Sequence, residues 1–321
     1  MNTDVKHQER FRKSPKLKSS SSLVKNIKKH AALYVMLLPC IIFFIVFSYI
    51  PIGGSIIAFK DYKFNKGILG SPWVGLTYFK AFFTSYDAPN IIINTLVIGF
   101  IKTILEFSFP IILALMLNEI KNEKFKKITQ SISYLPNFLS WVIVVTMIQR
   151  ILAPNNGIIN QIISMFGGNG STFFIMNENS FYPIVFLSDI WKNIGWSSII
   201  YLAAISGIDS TLYEAAQMDG ANKWRQIWNV TLPSIRGTIG ILFILGVGGL
   251  ISSGFDQIYL LRTPGNMALA DTLDVYVIRM GLTGGQYGYA AAVGLIQGLV
   301  GFVLVYGSNK LSKKYTDVSI W

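Results

Sequence analysis

The chain has 321 residues, 52% of them hydrophobic and only 14% charged, with a net charge of +12. That composition is foreign to a soluble domain. The basic residues lie beside apolar runs and form no zinc-finger or RNP-like pattern, which argues against nucleic acid. One cysteine, Cys40, sits inside an apolar run, so an internal disulfide framework and a cysteine metal cluster are excluded, and a small core residue is the reading.

Residues 1–30 are polar and basic, with a run of four serines from Ser19. They read as a tail, disordered or lying on the membrane surface. The apolar run behind them is too long for a signal peptide, and no Ala-x-Ala site follows, so the tail is expected to be retained. Six apolar runs then follow, at 33–58, 91–117, 132–152, 181–205, 235–258 and 289–308. Each approaches or exceeds the roughly 20 helical residues that cross a bilayer. Pro39 and Pro51 are expected to kink the first. Trp73 and Tyr78, in the connection that follows, suit a membrane–water interface. Lys102, Glu106 and Pro110 interrupt the second run, and Asp189 and Lys192 the fourth. Gly246, Gly248 and Gly249 in the fifth are expected to permit close helix contact. A tail at 311–321 closes the chain.

Six spans put both termini on one side. Of the 28 Lys and Arg residues, nineteen fall in 1–30, 118–130, 206–236 and 309–321, against six in the opposite loops. The positive-inside rule therefore places both termini and the central loop in the cytoplasm. The expectation is one all-α membrane domain over 31–310.

The central loop is polar although it lies between two long apolar runs. Thr211 and Glu214 have capping-box spacing, while Asp209 and Ser210 compete as N-caps. Gly220 suits the left-handed position past a helix end. Trp224, Ile227 and Trp228 then recur at helical spacing, and Pro233 breaks that helix or begins the next. Ala215 and Ala216 leave a surface of little bulk, with the Glu214 carboxylate beside it for a basic partner. An ordinary helix-loop-helix has the same local physics.

Glu214-Ala215-Ala216, three residues, Gly220, nine residues, Val230, one residue, Leu232-Pro233 resembles the signature loop of the permease subunits of binding-protein-dependent ABC importers. Asp219-Gly220-Ala221 matches a common extension of it. The stretches LLPCIIFFIVFSYIP and IIAFKDYKFNKGILGSPWVGLTYF, with Ser319-Ile320-Trp321, are similar to permeases of bacterial oligosaccharide and polysaccharide importers. The resemblance implies a type I importer permease fold, maltose-permease-like, in the bacterial cell membrane. It implies that Glu214, Ala215, Ala216, Asp219, Gly220, Ala221, Leu232 and Pro233 form a coupling helix docking on a separate ATPase. It also implies a second, different permease chain, two ATPase subunits that use ATP and Mg, and an extracellular solute-binding protein.

The chain itself has no phosphate-binding Gly-x-x-x-x-Gly-Lys-Ser/Thr loop, no His-Glu-x-x-His and no Gly-x-Ser-x-Gly. It is expected to be a transport subunit, not an enzyme, with no metal or cofactor of its own. Asp189 and Lys192, three residues apart, could neutralise each other as a structural ion pair, or line a solute path. Asn193, Trp196 and Tyr201 continue a polar-aromatic character that suits sugars. By alignment to maltose-type permeases, the places that hold solute match positions near Asn193 and Trp196 and near Leu250 and Ser253; Leu250 and Gly246 lack the polar group expected there, which leaves Ser253, Asp256 and Gln257 as candidate polar contacts. Alternatives are the same fold importing a peptide or amino acid, an ion-coupled transporter using Glu106 or Asp189, and a membrane scaffold that transports nothing.

Overall fold

The computed structural model describes residues 29–316. The basic tail expected over 1–30 lies almost wholly outside these residues, as do Ser319-Ile320-Trp321. Among the described residues the chain is helical throughout, with a single isolated bridge between Lys60 and Trp73 and no named strand. The chain forms two units, one ending at Ile56 and the second beginning at Ile57.

The first apolar run is a helix over Ala31–Phe59. Its expected irregularity takes the form of a π-turn at Ile45–Tyr49, just ahead of Pro51. A proline ring clashes with the carbonyl four residues back and offers no N–H, and widening the preceding turn relieves both.

In the second unit the helix Ala88–Glu119 acts as a spine about 48 Å long. Three apolar clusters succeed one another along it. The first joins Ile91 to Phe82, Tyr276 and Tyr289. The second joins Ile98 to Val145, Phe181 and Ile258. The third joins Ile111 and Leu117 to Tyr201, Ile205 and Ile235. Tyr78 is drawn into this packing: its hydroxyl donates to Asp61 at 3.3 Å and its ring meets Tyr289 edge-on.

The third run is not one straight span. It divides into Glu123–Phe138 and Trp141–Ile151, bent by 100°. Pro136 starts a 3-10 turn, Leu139 is extended, and Ser140 caps the second piece by accepting the Ile143 N–H. An apolar run hides such a break, because proline and a serine cap change the backbone path without lowering hydrophobicity.

The fourth run is the 29-residue helix Glu178–Ser206. Its length suffices to cross a bilayer, but its polar residues keep it below the apolarity of the four helices that qualify by composition: Ala31–Phe59, Ala88–Glu119, Arg236–Leu261 and Tyr287–Lys314. The bent pair makes a fifth if counted as one span. The polar residues concerned, among them Ser188, Asp189, Lys192 and Ser198, are turned into the protein.

Close helix contact occurs, but not at the glycines expected to provide it. Gly246 and Gly249 have no neighbour within 4 Å of a built Cβ, and Gly248 meets only a Val305 methyl. The backbones instead touch at Gly195, where a Cβ would lie 1.9 Å from the Ser133 carbonyl, and at Gly99, equally close to that of Leu250. A qualifying glycine must face another main chain, which spacing within one helix does not reveal.

Candidate functional site

The first candidate is the central loop. Its first helix is Ser210–Met218, and Asp209 is the N-cap, accepting the Thr211 N–H at 2.9 Å. The Thr211–Glu214 capping box is therefore not formed: Thr211 sits inside the first turn as the donor to Asp209. Asp209 lies two residues earlier and offers a charged acceptor, which favours it.

The helix ends in a Schellman motif. The Ala221 N–H donates to the Ala216 carbonyl at 2.9 Å and the Gly220 N–H to that of Gln217 at 3.0 Å, with Gly220 at φ +73°. Asn222 then caps the next turn through the Arg225 N–H. Lys223–Gln226 runs into a π-turn at Ile227–Thr231 ahead of Pro233, repeating the arrangement before Pro51.

Internal bonds hold this loop as one piece. Tyr213 and Thr231 share a hydroxyl–hydroxyl bond of 3.0 Å, and Gln226 donates to the Ala221 carbonyl. Leu232 packs against the third apolar cluster, and Lys223 reaches Glu119 at 3.0 Å. Glu214, Ala215, Asp219, Gly220 and Pro233 are exposed, and Ala216 and Ala221 half-buried. Trp224 is 72% and Trp228 66% exposed, with Met218 and Leu212 also bare. A polar loop held rigid by its own hydrogen bonds while presenting two tryptophans has the form of a docking surface.

Two outcomes follow from this geometry. Gly220→Val meets no neighbour, so its cost is backbone strain alone, about 1–2 kcal/mol. It should lower the melting temperature and loosen the turn, read as loss of amide protection at Ala221; an unshifted melt with protection intact would show that the left-handed turn carries no strain. For Asp209, the bonds from Thr211 hold its carboxyl below the ordinary value. The sign follows: the cap contributes fully above the ordinary carboxylate range and is lost as pH falls through the lowered value. The Thr211 protection factor should drop on acidification, and Asp209→Ala should abolish that dependence.

The second candidate lies among the spans. The expected Asp189–Lys192 pair is not the one formed. Asp189 pairs with Lys102 at 3.1 Å, both nearly fully buried. Lys192 donates to the Asn137 carbonyl at 2.7 Å. Residues three apart share a helix face but splay from the axis, whereas Lys102 reaches across from the neighbouring helix. Both ammonium groups lie over the Trp141 ring, at 5.9 and 5.5 Å. Lys102 also donates to Gln257, whose amide donates to the Val185 carbonyl and to Ser188. Asn193 donates to Asp189 at 3.3 Å.

This network sits where the fifth span is broken. Ser253 and Gly254 are both left-handed, between Leu250–Ser252 and Phe255–Leu261. A Cβ at Gly254 would lie 2.4 Å from the Lys102 ammonium, so glycine both permits the turn and makes room for the lysine. Ser253 and Gln257 are therefore not open contacts: both are buried, and Ser253 donates to the Thr95 carbonyl. Asp256 is exposed but lines none of the cavities described below.

Trp196 and Tyr201 do come together. They line an open cavity of about 370 Å³ with Thr103, Glu106, Phe107, Ser197, Phe243 and Gly246. Glu106 also borders a much smaller void shared with Asp189, Asn193 and Ser197. Gln257, Asn137 and Trp141 had no sequence signal for these roles; a buried lysine in an apolar run was the one hint that partners had to exist.

With this geometry in place, the chain can be set against known proteins. Residues 106–315 match the family model described as binding-protein-dependent transport system inner membrane component. The chain is 44% identical to the polygalacturonan/rhamnogalacturonan transport system permease protein YteP of Bacillus subtilis (strain 168), covering 95% of each. It is 30% identical to the arabinooligosaccharides transport system permease protein AraP of the same organism, over 89% of this chain and 90% of that one. Among solved structures, a chain of the bacterial alginate ABC transporter in complex with an alginate pentasaccharide-bound periplasmic protein superposes with a TM-score of 0.86 at 38% identity, covering 93% of this chain and 99% of that one.

Proposed function

Since the chain belongs to the binding-protein-dependent transport system inner membrane components, a family of multi-pass ABC-importer permeases, we propose that it carries an oligosaccharide or polysaccharide fragment inward across a bacterial cell membrane. It is a transport subunit and not an enzyme. In this reading Ala31–Phe59, Ala88–Glu119, the bent pair, Glu178–Ser206, Arg236–Leu261 and Tyr287–Lys314 make six crossings with both termini in the cytoplasm. The 206–233 loop then faces the cytoplasm, where two separate ATPase subunits bind ATP and Mg. A second permease chain completes the path, and an extracellular binding protein delivers the solute.

The observation that carries this reading is the internally bonded, exposed loop between the helices Glu178–Ser206 and Arg236–Gly249. Glu214 and the bare Ala215 surface contact the ATPase. The Schellman turn fixes the angle of the following piece. Leu232 and Pro233 pass the motion into Arg236–Gly249. Closure of the ATPases on ATP opens the spans outward, and hydrolysis resets them. The relatives' names include alginate, an acidic polysaccharide, polygalacturonan, built of a uronate, and arabino-oligosaccharides, so they span charged and uncharged saccharides.

Uptake of labelled oligosaccharide into vesicles holding both permeases and the ATPases, with the binding protein outside, tests the assignment. Uptake should need ATP inside and survive collapse of the proton gradient; uptake without any ATPase would end it. Glu214→Lys sets a cation against the basic site expected on the ATPase and should weaken its retention about tenfold on co-purification. Unchanged retention would remove Glu214 from the interface.

A further inference from the structure

We propose that the wall around Glu106 makes this chain's side of the path selective for uncharged sugar residues over uronates, with Glu106 as the specificity-determining group. This rests on the saccharide reading above and names the kind of saccharide. The cavity of about 370 Å³ falls in the range that holds small ligands. Phe107, Trp196, Tyr201 and Phe243 give it aromatic surface, against which the C–H faces of a sugar pack. Glu106, whose carboxyl also meets that of Asp189, supplies oxygen acceptors for sugar hydroxyls together with the Thr103 and Ser197 hydroxyls. No Lys or Arg among the described residues lines it.

Cations are close at hand, yet the fold withdraws them. Lys102 is 5% exposed and tied to Asp189 and Gln257. Lys192 is 7% exposed and tied to the Asn137 carbonyl. The neighbouring amides are engaged too: both N–H groups of Gln257 on Val185 and Ser188, and one of Asn193 on Asp189. A uronate entering here would lose water and meet no side-chain ammonium or amide among the lining residues, beside a group of its own acidic type. An uncharged sugar gives up far less on entry and finds acceptors waiting.

The test uses the assembled transporter in vesicles and matched probes: oligogalacturonate, oligomannuronate and oligoglucuronate, each as the free acid and as its methyl ester. For a backbone that is taken up, the wild type should favour the ester at least about tenfold. Glu106→Gln, close in shape, should narrow that ratio several-fold, and Glu106→Lys should erase or invert it. A wild-type preference for the acid overturns the proposal. So does a ratio that neither variant moves while uptake persists. Uptake of peptides or amino acids with none of the saccharides would instead overturn the saccharide reading, and this inference with it.

Discussion

Lys102→Met is expected to destabilise the protein by about 3–5 kcal/mol, the usual cost of leaving one member of a buried ion pair without its partner. Methionine matches the length and apolar stem of lysine, so the loss is electrostatic and not a cavity. Asp189, 2% exposed, would keep the Asn193 amide as a donor and the Glu106 carboxyl beside it, and the Gln257 carbonyl would lose its donor. Lys192 acts on Asp189 only at longer range, since its ammonium is bonded to the Asn137 carbonyl on the bent segment. Adding Asp189→Asn removes the stranded charge and should recover much of the loss. Thermal unfolding of the solubilised protein reads both variants. Equal melting of wild type and Lys102→Met would show that the pair contributes nothing, and a double variant no better than the single would place the cost elsewhere.

The second large effect belongs to the loop. Changing both Trp224 and Trp228 to alanine should weaken ATPase binding by well over 30-fold. A central interface tryptophan typically costs on the order of 2 kcal/mol when truncated, about 30-fold in Kd. The two are four residues apart on one surface, so their effects will not simply add. Both side chains are mostly exposed, so folding stability should stay within about 0.5 kcal/mol. The expected signature is an unshifted melt with ATP-driven uptake lost and the ATPases released on purification. Full retention of the ATPases would show that the tryptophans face something else.

How much of this was legible beforehand depended on the range of each interaction. Gly220 was readable because a helix end and a left-handed glycine are decided within six residues, and the Schellman bonds from Gly220 and Ala221 confirm it. The apolar runs were readable because bilayer thickness sets their length. The break near Pro136 was less so: its proline and its serine cap were present in the sequence, but submerged in an apolar run.

The sequence by itself determined that this is an all-helical membrane chain with one polar loop between two spans, and which residues turn that loop. The tertiary structure alone decided that Asp189 answers Lys102 and not Lys192, that Ser253 and Gln257 are used up inside the protein, and that Gly99 and Gly195 are the close-contact glycines. Those outcomes join residues tens to more than a hundred and fifty positions apart. Local hydrogen bonding and hydrophobic periodicity act over a few residues, whereas the pairing of a buried charge is settled by whichever helix packing brings within reach.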